Sequence, residues 1–152
     1  MLQKMMFVLA LVLAPLAGLA AERGSADEAA AMVERVVTLF EAQGIEAVVA
    51  AVDDPSNTAF RDRDLYVIVG ELGGDLVAHG ANPALVGKNL DGMKDSNGVM
   101  VGVELQKTAR EDGAGWVDYV WPNPATKKIE SKSTRVVRLG DSHYAGVGIY
   151  KD

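Results

Sequence analysis

Apolar positions change their spacing along this chain, and each change marks an element. From Ala29 the residues Met32, Val33, Val36 and Phe40 recur every three to four positions, the period of one helix face. Ser25 and Glu28 precede them in the S-x-x-E arrangement of a capping box, so a helix is expected to start there. Gly44 suits the position just past its end, where glycine adopts a positive φ without penalty. A second helical run, Ile45 to Val52, stops before Asp54-Pro55, and the polar stretch Ser56 to Asp64 reads as a loop.

Beyond Asp64 the period falls to two. Leu65 to Val69 forms a strand with Tyr66 and Ile68 on one face and Leu65, Val67 and Val69 on the other. Gly73-Gly74 turns the chain into a returning strand, Leu76 to His79. The stretch Gly80 to Gly98 holds four glycines, three asparagines and a proline, so it is expected to be a long ordered loop with at most one helical turn. Loops of that length inside compact domains usually carry function. Val101 to Arg110 reads as a short helix or crossover.

A hairpin follows from Gly115 to Thr134. Val117, Tyr119 and Trp121 alternate on one side, and Trp116, Asp118 and Val120 take the other. Pro122-Asn123-Pro124 ends its first strand, because proline cannot donate to a ladder. The second strand returns through Ile129, Lys132 and Thr134, and Gly140-Asp141 leads into a last strand, Tyr144 to Tyr150. The expected fold is α+β: a long N-terminal helix, a short second helix and a five-stranded antiparallel sheet. One sheet face lies under the N-terminal helix and the other under residues 80–113.

Composition narrows the class. The chain has 152 residues, enough for one domain with a core. Lys4, the apolar run Met5 to Leu13, Pro15 and the small residues up to Ala21 read as a secretory signal peptide, residues 1–21, with a retained anchor as the alternative. No other apolar run approaches the 18 residues or so that a membrane helix needs. Residues 22–152 are then a single soluble domain, periplasmic or secreted. The formal charge of −6 argues against nucleic acid and anionic lipid as partners. The absence of cysteine excludes disulfides, thiolate metal sites and a cysteine nucleophile.

Other chemistry finds little support. His79 and His143 lie far apart, without the spacing of a zinc site. Asp95-Ser96-Asn97-Gly98 lacks the acidic run of a calcium loop and reads as a turn. Neither a G-x-S-x-G elbow nor a phosphate loop occurs. No catalytic or metal-ligating residue is assigned, no cofactor is expected, and the chain is expected not to be an enzyme. What the residues do offer is a sheet face where aromatics and a lysine converge. That is either a small pocket for an anion with an apolar tail or an amphipathic hairpin with its aromatics in a core. Gly146 and Gly148 share a parity on the last strand, which marks close approach of a ligand or backbone, or a packing requirement.

The segment LYVIVGELGGDLVAHGANPALVGKNL, the Asp95–Gly98 turn, GWVDYVWPNPATKKIESKS and the final GVGIY together resemble a single-Cache extracellular sensor domain, over roughly Asp27 to Tyr150. The resemblance implies a PAS-like sheet behind a long N-terminal helix. It implies binding of small organic acids or other small metabolites, and carries over a candidate pocket of Tyr66, His79, Trp116, Tyr119, Trp121 and Lys132. Lys132 can neutralise a carboxylate. Tyr66, Tyr119 and His79 can donate to its oxygens. Trp116 and Trp121 can wall an apolar tail, although Trp116, of opposite parity to Tyr119, belongs more naturally to the core. Lys88 is a weaker second cation. Arg135 stands where the family usually has an aromatic, and its parity turns it away from Lys132 unless a bulge intervenes. The expected function is a periplasmic module that binds a small organic acid. With no transmitter domain of its own, it is expected to act with a membrane histidine kinase, chemoreceptor or transporter. The alternative is a structural or adaptor protein with a vestigial pocket.

Overall fold

The computed structural model describes residues 22–151. The signal-peptide expectation falls on residues 1–21, outside the described residues. Helix α1, Ala26–Gln43, begins with the capping box: Ser25 Oγ accepts from the Glu28 N–H at 3.3 Å, and Glu28 Oε2 accepts from the Ser25 N–H at 2.8 Å. Its buried stripe is Ala29, Met32, Val33 and Val36. Gly44 takes φ 82° and donates its N–H to the Phe40 carbonyl at 2.8 Å. Helix α2, Ile45–Asp53, starts at once and buries Val48 and Val52.

Six antiparallel strands follow: β1 Arg61–Asp62, β2 Leu65–Glu71, β3 Leu76–His79, β4 Ala114–Pro122, β5 Ile129–Leu139 and β6 His143–Tyr150. The lateral order is β3-β2-β6-β5-β4, and β1 pairs with the start of β2, Arg61 facing Tyr66. β1 is the addition to the five expected strands. Its two residues lie in the polar segment read as a loop and are too few to show a period.

Strand parity sorts the sheet into two cores. Leu65, Val67, Val69, Leu139, Ala145 and Val147 pack under α1 and α2. Tyr66, Ile68, Val117, Tyr119, Val136, Tyr144 and Tyr150 take the opposite face. That second face is covered by α3, Val101–Glu111, through Val101, Leu105 and Ala109, and by Leu90 of the preceding loop. The loop holds a single 3₁₀ turn, Pro83–Leu85. Its Asp95–Gly98 turn is pinned by the Asp95 carboxylate, which accepts from the N–H groups of Asn97, Val99 and Val120 at 2.8–2.9 Å. Those contacts tie the loop to the outer edge of β4.

Candidate ligand-binding site

The middle of the second face is built around Lys132. β5 is an inner strand without a bulge, so Lys132 stands opposite Tyr119 of β4 and Tyr150 of β6. Its stem crosses β6 at Gly148, where a Cβ would overlap Lys132 Cε and reach Thr134 Oγ1 at 2.6 Å. Only 3% of Lys132 is exposed. Its ammonium donates to the Tyr66 hydroxyl at 2.7 Å and lies 4.1 Å and 4.8 Å from the ring centroids of Tyr66 and Tyr150. No other hydrogen bond and no ion pair of Lys132 occurs among the described residues. Burial lowers its pKa to about 7, against a weaker opposing pull from Asp64.

The surrounding hydroxyl protons are committed. Tyr150 donates its single O–H to the Pro122 carbonyl at 2.8 Å. The 3.0 Å bond between the Tyr66 and Tyr150 hydroxyls must therefore carry the Tyr66 proton. The chain runs Lys132 to Tyr66 to Tyr150 to Pro122, and Tyr66 faces Lys132 as an acceptor. Tyr119 shares a proton with Thr134 Oγ1 at 2.8 Å. Burial raises the pKa of all three tyrosines, so each stays neutral. Two N–H groups of Lys132 remain free of these bonds.

His79 has two tasks on one ring. Nδ1 accepts the backbone N–H groups of Ala81 and Asn82 at 3.1 and 2.8 Å, which fixes the start of the long loop. Nε2 must then carry the ring proton and is a donor. The ring stacks on Tyr66 with centroids 4.9 Å apart. Burial first, then the nearby Lys132 charge, lowers its pKa to about 4, so it is neutral at physiological pH. Trp121 meets Tyr119 edge-on at 5.9 Å.

These side chains line an inner chamber and an outer pocket that share walls. The inner chamber measures ≈ 20 Å³, with Lys132, Tyr66, His79, Tyr119 and Trp121 among Ile68, Leu76, Leu85, Leu90, Val101 and Leu105. The outer, open pocket measures ≈ 510 Å³ and shares Tyr66, His79, Leu85 and Trp121 with it. Asn82, Asn123 and Lys127 add polar groups at the mouth.

Five of the six residues singled out from sequence thus meet in one place; Trp116 does not. It sits on the other face of edge strand β4, beyond the cover of α1, and is 42% exposed rather than in either the pocket or the core. Arg135 pairs with Trp116 and Val147 in unbroken ladders, on the face away from Lys132. Lys88 is exposed on the loop and lines neither space. The room at Gly148 is taken by the lysine stem, and a Cβ at Gly146 would meet Thr134 Cγ2 at 2.9 Å. Tyr150 was overlooked, although register alone places it opposite Lys132.

The family model of the Cache domain matches residues 47–150. The chain belongs to the Cache domain family. It is a single, PAS-like Cache domain with an N-terminal helix and an antiparallel sheet. This Cache domain is 32% identical, over 60% of its length, to the methyl-accepting chemotaxis protein McpP of Pseudomonas putida. It is 33% identical, over 59% of its length, to the sensor histidine kinase MctS of Rhizobium johnstonii. The matches span only 17% and 20% of those curated relatives. A solved periplasmic sensor domain of a chemotaxis protein superposes with a TM-score of 0.65 at 30% identity, covering 83% of this chain and 90% of that one. The relatives are sensor proteins, a chemoreceptor and a histidine kinase, each matched over only a part of its length. Among the described residues no helix is long and apolar enough to cross a membrane.

Proposed function

We propose that residues 22–152 form a periplasmic module that binds a small organic acid and acts by binding rather than turnover. It signals through a membrane chemoreceptor or histidine kinase, or hands its ligand to a transporter. One observation carries this reading. Lys132 is a buried cation whose partners are all neutral, at the wall of an apolar chamber. Burying a charge without a counter-ion costs several kcal/mol, and an incoming carboxylate offsets that cost. The two free ammonium N–H groups, with the His79 Nε2–H, give the anion its donors.

Size supports a short chain. A cavity needs about 10–15 Å³ to admit one water, so the inner chamber takes a carboxylate or a methyl group and little else. Anything larger extends past Trp121 toward Asn82 and Asn123. Membership in a family of sensor domains supports ligand binding as the role. A thermal-shift screen of acids of one to four carbons, their amides and the matching amines tests it. Acids are expected to stabilise the domain and amides to have little effect. No stabilisation by any acid, with tight capture of a membrane protein, would instead mark an adaptor with a vestigial pocket.

A further inference from the structure

Lys132 faces no fixed counter-ion from any element packed around it. Tyr66 of β2, Tyr119 and Trp121 of β4 and Tyr150 of β6 meet it with neutral groups. His79 of β3 is neutral, its protonation opposed first by burial and then by the Lys132 and Arg61 charges. In the inner chamber the loop and α3 contribute Leu85, Leu90, Val101 and Leu105, and in an open pocket that Lys132 also borders the loop adds the uncharged Asn97 and Val99. Asp118 and Lys151, which line that same open pocket, pair with each other at 3.0 Å and form no ion pair with Lys132. The one acid acting on Lys132 is Asp64, which is 1% exposed. Its Oδ1 accepts from the Gly24 N–H at 2.7 Å, and it forms no ion pair with the ammonium. Without a bound anion, burial disfavours the charged amine and the Asp64 charge opposes this only weakly.

We propose that the pocket takes up a proton together with the carboxylate, so that above neutral pH it responds to the undissociated acid rather than to the anion. This rests on the acid reading above. The step is a neutral amine, a proton and a carboxylate becoming an ammonium–carboxylate pair. The product of anion and proton concentrations is proportional to the concentration of undissociated acid. Occupancy therefore follows that species whenever the empty site holds a neutral lysine. With the lysine titrating at about 7, that regime begins just above neutrality. There the apparent affinity for the anion falls about tenfold per pH unit. The hydroxyls do not compete for the proton, because burial holds them all neutral through this range. A module of this kind reports acid and external pH as one signal.

Calorimetric titration with acetate and with propionate tests the proposal, at pH 6 and pH 8.5, in phosphate and in Tris. The two buffers differ widely in ionisation enthalpy. Close to one proton is expected to be taken up per acid bound at pH 8.5 and little at pH 6, with affinity for the anion at least tenfold weaker at the higher pH. Lys132→Met is expected to abolish the proton uptake along with most of the binding. Equal dissociation constants at the two pH values, with no dependence on buffer, overturn the proposal and leave acid binding intact. Absence of binding at both pH values overturns the acid reading, and proton uptake with it.

Discussion

Replacing Gly148 by alanine tests where the lysine lies. The added methyl would overlap Lys132 Cε and crowd Thr134 Oγ1 at 2.6 Å. The lysine end is the movable partner, so the stem swings aside and the ammonium leaves the Tyr66 hydroxyl. Overpacking of this kind costs about 1–3 kcal/mol of stability. A displaced ammonium also loses its charge-assisted bond to a bound carboxylate, worth about 1.5–3 kcal/mol. Acid affinity is then expected to fall roughly 10- to 150-fold. Gly146→Ala is the matched control: its methyl meets Thr134 Cγ2 at 2.9 Å and Ile68 Cγ1 at 3.4 Å, not the lysine. It is expected to cost similar stability and leave affinity within about threefold, a shift of less than 1 kcal/mol. Urea unfolding measures the first quantity and calorimetric titration of acid the second. Wild-type affinity in a folded Gly148→Ala protein would refute the placement of the lysine stem.

Three further outcomes follow from the same geometry. In the ligand-free domain Lys132 titrates at about 7 but in the unfolded chain near 10.5, so between those values the unfolded state holds more protons. Stability is therefore expected to rise with pH across that window by roughly 1 kcal/mol per unit, seen in urea unfolding, and Lys132→Met should flatten the rise. Tyr150→Phe removes the acceptor for the Tyr66 proton; it is expected to cost about 1–2 kcal/mol of stability while acid affinity holds or improves, because Tyr66 can then donate to the ligand. A tenfold loss of affinity in that variant would contradict the assigned direction of the hydroxyl chain. Trp116→Ala should leave acid affinity unchanged in the same titration, since the side chain lies across the sheet from the pocket.

Local chemistry and strand parity made much of the fold legible. Ser25 and Glu28 mark the start of α1 because a capping box needs only those two residues at that spacing. Parity sorted Tyr66 from Val67, and Tyr119 from Asp118, because side chains alternate across the sheet and a one-residue slip would reverse every one of them. The same rule argued against Trp116 in the pocket, yet a core position still failed for it. Residue type suggests burial, but α1 does not extend over β4. The hydroxyl chain was out of reach, since it depends on register between β5 and β6 and on a carbonyl at the end of β4. Gly148 was left open between close approach of a ligand or backbone and a packing requirement, because an amino-acid sequence cannot say which side chain fills the space a glycine leaves. Asp64 gave no signal at all: it looked like one more polar loop residue, and only the folded chain buries it against Gly24.

The most direct test of the central claim is a cycle of two ligands and two proteins. A short acid and its amide are titrated by calorimetry into the wild type and into Lys132→Met, at pH 6, where the ammonium is charged. If Lys132 holds the carboxylate, the acid loses roughly 10- to 150-fold in the variant and the amide loses much less. Equal losses for acid and amide would mean that Lys132 only packs, and the anion would have to be held elsewhere.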